Sequence, residues 1–253
     1  MKILVVSDIH ANIEALSAVL GAEEGNYSGF LFLGDVTGYG PDPEACIERL
    51  RGLRDSANPC FFLGGNHDAA LVGKVPLEWF NNLARKSVEK TEKLLAPESL
   101  EWLSSLPASL EIFPGVWAAH ASPMKPLTEY IRGGDETGIA LHYLAANQIT
   151  ICFHGHTHEA AVFSMNRAHP IVFPATNEEV SFEGYPLLVN PGSVGFPRAF
   201  NGGRRPGFKL PGGKISAASY PAYYCMWDTV TTEIVFREAR YDRRPVEKKI
   251  RGL

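Results

Sequence analysis

Cysteine is scarce in this chain. Cys46, Cys60, Cys152 and Cys225 are widely spaced and form no CxxC pair, so no zinc-finger type of site is expected. Cys60, Cys152 and Cys225 lie within apolar runs, as buried thiols of a reducing compartment do. A basic excess is also missing: 24 lysines and arginines face 28 aspartates and glutamates, a formal net charge of −4. Stable nucleic-acid binding is therefore not expected, because a nucleic-acid coat carries a broad basic surplus. An anionic substrate remains compatible with a site that supplies its own positive charge. No segment approaches the ~20 consecutive apolar residues of a membrane span, and the opening stretch Ile3-Leu4-Val5-Val6 is too short for a signal sequence. The expectation is a cytoplasmic protein without a membrane partner. At 45% hydrophobic residues, the composition is that of a globular chain with a large core.

What is present is a series of short apolar runs, at residues 2–7, 29–33, 59–63, 116–119, 150–153 and 186–189. Their length and their Val, Ile and Phe content predict strands buried on both faces. Helical patterns separate the first three. Asn12 can cap a helix with Ile13, Leu16, Val19 and Leu20 on one face, and Pro43 opens another carrying Ile47, Leu50 and Leu53. Strand–helix alternation of this kind implies crossover units and an α/β fold with parallel strands. Residues 76–106 read as helical, with Leu83, Ser87, Leu94 and Leu95 and then a second helix from Pro97, and a further helix covers 135–147. Two late runs, 220–228 and 232–241, predict an antiparallel hairpin turning at 229–231. Between them and the earlier strands lies a Gly/Pro/Arg-rich loop at about 196–214, too poor in apolar residues for a core of its own. Neither a repeat nor a linker divides the sequence, so 1–253 is expected to be a single domain.

The chemistry gathers where the apolar runs end. They lead into Asp8-Ile9-His10, Gly34-Asp35, Gly65-Asn66-His67-Asp68, His120, and Gly155-His156-Thr157-His158. In an open α/β sheet, ligands bind beyond the carboxyl ends of the strands, so five strands would deliver these side chains to one rim. Carboxylate, amide oxygen and imidazole together suit divalent transition metals. Asp8 and His10 are two residues apart, and an extended backbone would point both to the same side, as with His156 and His158. Glycines 34, 64, 65 and 155 allow sharp turns before the ligands. His154 reads equally as a core histidine or a contact near the site, whereas His142 and His169 read as structural.

In their order, these five blocks resemble the signature of the calcineurin-like metallophosphoesterase superfamily. The segments 34–43 and 190–198 are similar to its bacterial, small single-domain phosphodiesterase-type branch. The resemblance implies an α-β-β-α sandwich, two mixed β-sheets flanked by helices, with the hairpin at the C-terminal end. It implies two divalent transition-metal ions (Mn, Fe, Co, Ni or Zn), one on Asp8, His10, Asp35 and His158 and the other on Asp35, Asn66, His120 and His156. Asp35 would bridge through its two oxygens, and a metal-bridging hydroxide would attack phosphorus. His67 would stabilise the transition state or protonate the leaving oxygen, with Asp68 orienting it. Two divalent ions against two ligand aspartates and a hydroxide would leave the site cationic within an acidic chain.

The implied activity is a phosphodiesterase or phosphatase acting on small phosphate esters, with Tyr39 and Arg198 as candidate substrate contacts. Two departures stand out: Ala121 follows His120 where the family more often has glycine, and the loop after Arg198 is long, carrying Arg204, Arg205, Lys209 and Lys214 as a candidate lid. A protein Ser/Thr phosphatase fits less well, because the arginines near its Gly-Asp and Asn-His blocks are replaced here by 36–39 and Gly65. A non-catalytic interaction scaffold, as in the retromer coat, lacks the catalytic histidine that stands here as His67.

Overall fold

The computed structural model describes residues 1–55, 58–165, 171–172, 178–180, 186–198 and 219–252. His169 and most of the loop at about 196–214, with Arg204, Arg205, Lys209 and Lys214, lie outside the described residues.

Elements follow in the order β1 (Lys2–Val6), α1 (Ile13–Ala22), β2 (Gly29–Phe32), α2 (Pro43–Gly52), β3 (Cys60–Phe62), α3 (Asn66–Leu71), α4 (Asn82–Thr91), α5 (Pro97–Ser105), β4 (Ser109–Phe113), β5 (Val116–Ala119) and α6 (Asp135–Ala146). Then come β6 (Ile151–Phe153), β7 (Ala161–Ser164), β8 (Ile171–Val172), β9 (Glu178–Val180), β10 (Leu187–Asn190), β11 (Ser219–Asp228), β12 (Ile234–Asp242) and α7 (Arg244–Gly252). One sheet has the order β3-β2-β1-β11-β12-β9 and the other β4-β5-β6-β10-β7-β8. Both are mixed. In the first, β1, β2 and β3 run parallel and β11 joins β1 antiparallel; in the second, β5, β6 and β10 run parallel and β4 and β7 antiparallel.

Alternation along each strand sorts the apolar residues into layers. Ile3, Val5 and Leu31 of the first sheet meet Ile151, Phe153 and Val189 of the second in the inner core. Leu4, Val6, Phe30 and Phe32 turn outward onto α1 and α2, where Leu16, Val19 and Ile47 cover them. Cys152 and Leu188 turn outward onto Leu141 and Leu144 of α6. With both faces covered, β2, β6 and β10 are almost wholly apolar and legible as continuous runs.

Three details differ from expectation. Helix α4 starts only at Asn82, where Asn81 caps it by accepting from the Leu83 and Ala84 N–H groups; the second helix expected from Pro97 is present as α5, after extended backbone at Leu95 and Ala96. Strand β12 starts at Ile234, two residues beyond the predicted 232, because Asp228 accepts from the Val230 N–H at 2.9 Å and holds a wider turn. Strands β4, β7, β8 and β9 and helices α3 and α7 were not anticipated. β4 pairs only with β5 and exposes Leu110 and Glu111, so it lacks the buried strand's apolar pattern.

Candidate metal centre

The strand ends do converge, but from two sheets. Asp8 and His10 follow β1, Asp35 follows β2, and Asn66 and His67 open α3 after β3, all in the first sheet; His120 follows β5, and His156 and His158 follow β6, in the second. The expectation of one rim on one open sheet is thus corrected. The side chains meet across the sandwich, where both sheets release parallel strands.

Local backbone also corrects the sequence reading. Asp8, His10, Asp35, His156 and His158 have φ of 53°, 48°, 58°, 66° and 63°, which is left-handed rather than extended. Each such residue costs of order 1–3 kcal/mol and persists where the surroundings over-determine it. Here the Asp8 N–H donates to Gly34 O, the His10 N–H to Asp35 O and the Gly195 N–H to Asp8 O, each at 3.0 Å. Gly34, at φ +103°, does turn the chain. Gly65 and Gly155 serve close approach instead: a Cβ would run into the Asp35 carboxylate at the first and into Ser7 and Asp8 at the second.

Hydrogen bonds fix the ring nitrogens. His10 Nδ1 donates to Thr37 O at 2.9 Å, His120 Nδ1 to Leu33 O at 2.9 Å and His158 Nδ1 to Phe196 O at 2.7 Å. A carbonyl can only accept, so in each neutral ring Nε2 carries the lone pair. The Nε2 atoms of His10 and His158 lie 2.9 Å apart, an arrangement of two lone pairs that a shared cation relieves. Asp8 Oδ2 is satisfied by the Ser7 hydroxyl at 2.6 Å and the His156 N–H at 3.1 Å. Its Oδ1 and the His156 Nε2 are buried without partners among the described residues. Such orphaned atoms are costly unless they bind something. Asp8, His10 and His158 form one triad and Asp35, His120 and His156 a second, with the ligand atoms of each triad within 4.8 Å of one another. The donor set fits two divalent ions, and these adjacent triads make a dinuclear metal centre.

Asp35 sits between the two. Its Oδ1 accepts the His67 N–H at 2.9 Å, while its Oδ2 lies 3.9 Å from His10 Nε2 and 3.5 Å from His120 Nε2. One oxygen therefore faces both triads, rather than one oxygen each. Electrostatics agree with cation binding. Burial pushes Asp8 up to about 7. Burial would raise Asp35 too, but His120, His67 and His10 outweigh it and hold the carboxyl well below its usual range. Burial keeps His10 and His156 well below the ordinary imidazole value and His158 down at about 3. Burial opposes the proton on His120 as well, yet Asp35 carries this ring up to about 9. A divalent ion between His120 and Asp35 would replace that proton.

His67 joins His10 and Asp35 in a third grouping, and its Nδ1, buried and without a partner among the described residues, faces Gly38. Asp68, expected to orient His67, acts on that ring through its charge, while its hydrogen bonds go elsewhere. Its carboxylate accepts from the Asp35, Val36, Thr37 and Gly65 N–H groups and the Thr37 hydroxyl, at 2.7–3.2 Å, and makes no hydrogen bond to His67. It holds the loop that carries Asp35. Asn66 Oδ1 stands 3.0 Å from His120 Nε2. Tyr39 and Arg198 border the ligands: burial raises the Tyr39 phenol, the nearby Arg198 charge opposes that rise, and the Tyr39 ring lies 4.7 Å from His10 and 4.8 Å from His67. His154 is fully buried beside Asn190 and is kept neutral by burial, down at about 3. His142 bonds its own helix at Gly138 O.

Sequence reasoning gave no role to several supports. Asn190 donates to Gly155 O at 2.8 Å and Thr157 Oγ1 at 3.0 Å, and Ser193 donates to Asp8 O at 2.8 Å. The 190–198 segment noted from its pattern thus clamps loops of both sheets. Tyr130, whose ring lies 4.1 Å from His156, sits in an irregular stretch that offered no signal.

Comparisons with known proteins extend this picture. The chain is 32% identical to the uncharacterized protein MJ0912 of Methanocaldococcus jannaschii over 258 residues, covering 98% of this chain and 91% of that one. A metallophosphoesterase structure from Sphaerobacter thermophilus superposes with a TM-score of 0.77 at 29% identity, covering 100% of this chain and 93% of that one. The hypothetical protein PH1004 of Pyrococcus horikoshii shares the fold, with a TM-score of 0.74 at 20% identity over 99% of this chain and 92% of that one. The profile of the calcineurin-like phosphoesterases matches residues 1–160, which contain every proposed metal ligand, and the chain belongs to that family as a metal-dependent phosphoesterase.

Proposed function

We propose that the protein is of the phosphodiesterase-type branch and hydrolyses small phosphodiesters. The observation that carries this reading is the pair of adjacent triads with Asp35 Oδ2 facing His10 of one and His120 of the other, bordered by Arg198. A diester bears one negative charge, and Arg198 supplies one cation at the rim; Arg132, nearby in sequence to Tyr130, is engaged with Glu159 at 3.7 Å.

Asp8, His10, Asp35 and His158 would hold one ion, and Asp35, Asn66, His120 and His156 the other. Mixed nitrogen and oxygen donors suit Mn, Fe, Co, Ni or Zn. When bound, the ions supply Lewis-acid polarisation of phosphoryl oxygens and acidification of a water. The remaining work belongs to the chain. Asp35 keeps both sites in register, the carbonyls of Thr37, Leu33 and Phe196 keep three imidazoles in the ligating tautomer, and Arg198 orients the ester. His67 stands beside the cluster with its ring inside the site, placed to stabilise or protonate the leaving oxygen.

The test combines metal analysis with a pair of chromogenic esters. Purified protein should carry close to two transition ions per chain and turn over bis-p-nitrophenyl phosphate faster than p-nitrophenyl phosphate. His67→Ala should lower kcat by about 10²–10⁴-fold with metal content unchanged. A preference for the monoester would overturn the diester reading, and full activity of His67→Ala would remove the assigned role of that ring.

A further inference from the structure

Beside the metal ligands opens a cavity of about 310 Å³ whose floor includes Asn66, His67 and His156. Its walls owe nothing to the metal motifs. Trp79 and Phe80 come from the short turn before α4, and Tyr130 and Leu127 from the irregular stretch before α6. The size falls within the range of small-molecule sites. Among the described lining residues none is a carboxylate or a lysine.

The rings are arranged by their neighbours. Phe80 packs edge-on to His67 at 5.1 Å, and the Tyr130 ring lies against His156 at 4.1 Å with the Arg132 guanidinium 4.7 Å from its centroid. Trp79 is 65% exposed and Tyr130 45%. Large aromatic side chains left this open at a cavity mouth offer π-faces to a ligand rather than core packing. The Asn81 carbonyl is spent on capping α4, which leaves its amide N–H donors for the cavity margin beside Thr128. The wall is also tied to the reaction loop, because the Tyr39 N–H donates to the Ser87 hydroxyl of α4.

We infer that this alcove binds a planar aromatic group on the ester alcohol, a nucleobase or an aryl ring, while the phosphate sits at the metal ligands. The inference rests on the phosphoesterase reading and adds the substrate class to it. Trp79 would stack the ring with Tyr130 bordering it, and Asn81 and Thr128 would meet polar atoms at its edge. Stacking on an aromatic side chain tolerates many ring chemistries, so shape selects for planarity before it selects a particular base.

The experiment is equilibrium binding to the metal-loaded protein, by calorimetry and by quenching of tryptophan fluorescence, with four probes: adenosine 5′-monophosphate, phenyl phosphate, ribose 5-phosphate and inorganic phosphate. At least one aromatic ester should bind about tenfold more tightly than ribose 5-phosphate. Trp79→Ala should erase that advantage, and Trp79→Phe should restore most of it. If ribose 5-phosphate binds as tightly as both aromatic esters, or if the advantage survives in Trp79→Ala, the alcove assignment is wrong. Failure of inorganic phosphate to bind would instead count against the phosphoesterase reading itself, so the two failures are distinguishable.

Discussion

Asp68 grips the backbone of Asp35: its Oδ2 accepts the Asp35 N–H at 2.8 Å, and the same carboxylate takes four further donors from the loop and from Gly65 and Thr37. Asp68→Ala leaves several buried N–H groups unsatisfied and should cost about 3 kcal/mol of stability. Metal content should fall with it, because Asp35 loses its support. Thermal unfolding and metal analysis check both. A stable, fully loaded Asp68→Ala protein with only kcat reduced would return Asp68 to the orienting role first expected from the sequence.

Asp35→Asn should be the most damaging single substitution at the centre. The shared oxygen faces His10 and His120 alike, so neutralising it weakens both ion sites. Metal content should drop below one ion per chain and kcat/KM by about 10³-fold or more. Retention of both ions would show that the two sites do not depend on a common carboxylate.

Metal binding should release protons at neutral pH. Ligands must be unprotonated; Asp8, raised to about 7, and His120, raised to about 9, still carry protons there. Roughly one to two protons should leave on loading at pH 7, and apparent affinity should rise up to about pH 9 and then flatten. His10, His156 and His158 lie below the ordinary imidazole value and add nothing in that window. For the metal-free chain the sign is opposite. His120 binds its proton more tightly folded than unfolded, so stability falls as pH rises from 6.5 to about 9. Calorimetry in buffers of different ionisation enthalpy measures the first effect and denaturant melts the second; proton-neutral binding at pH 7 would contradict both shifts.

Gly155→Ala tests the close approach of the two sheets. An added methyl would meet the Ser7 hydroxyl and Asp8 Oδ2, and overpacking of this kind costs about 1–3 kcal/mol. Because Asp8 must shift, the first triad should lose metal affinity while Asp35, His120 and His156 keep theirs. Equal loss at both sites, read by titration with a coloured chelator, would mean that the loops move together.

The ligand residues were legible because each stands beyond the end of a short apolar strand, where a polar side chain interrupts the run. Asp35 and His120 are examples, following Phe32 and Ala119. Their division between sheets was not readable from the runs themselves, since β1 and β6 look alike as strings and only pairing assigns them. Nor was the left-handed backbone, which long-range bonds such as Gly195 N–H to Asp8 O impose. The hydrogen bonds of Asp68 to the Asp35 loop were not readable either, because adjacency to His67 drew attention there and a helix turns neighbouring side chains apart. Trp79, Phe80 and Tyr130 were silent because they sit in irregular segments without periodicity.

The division of ligands between two sheets also sets an order of events. Asp8 and Asp35 belong to the first strands of the chain, and His156 and His158 lie some 150 residues later, a separation of the kind that closes late. Neither of the two triads of the metal centre is completed by one sheet alone, although His10, Asp35 and His67 group within the first. A two-ion centre therefore needs both leaves docked, because a chain with only the first sheet formed offers just the His10, Asp35 and His67 grouping. Hydrolytic competence becomes a certificate of completed folding.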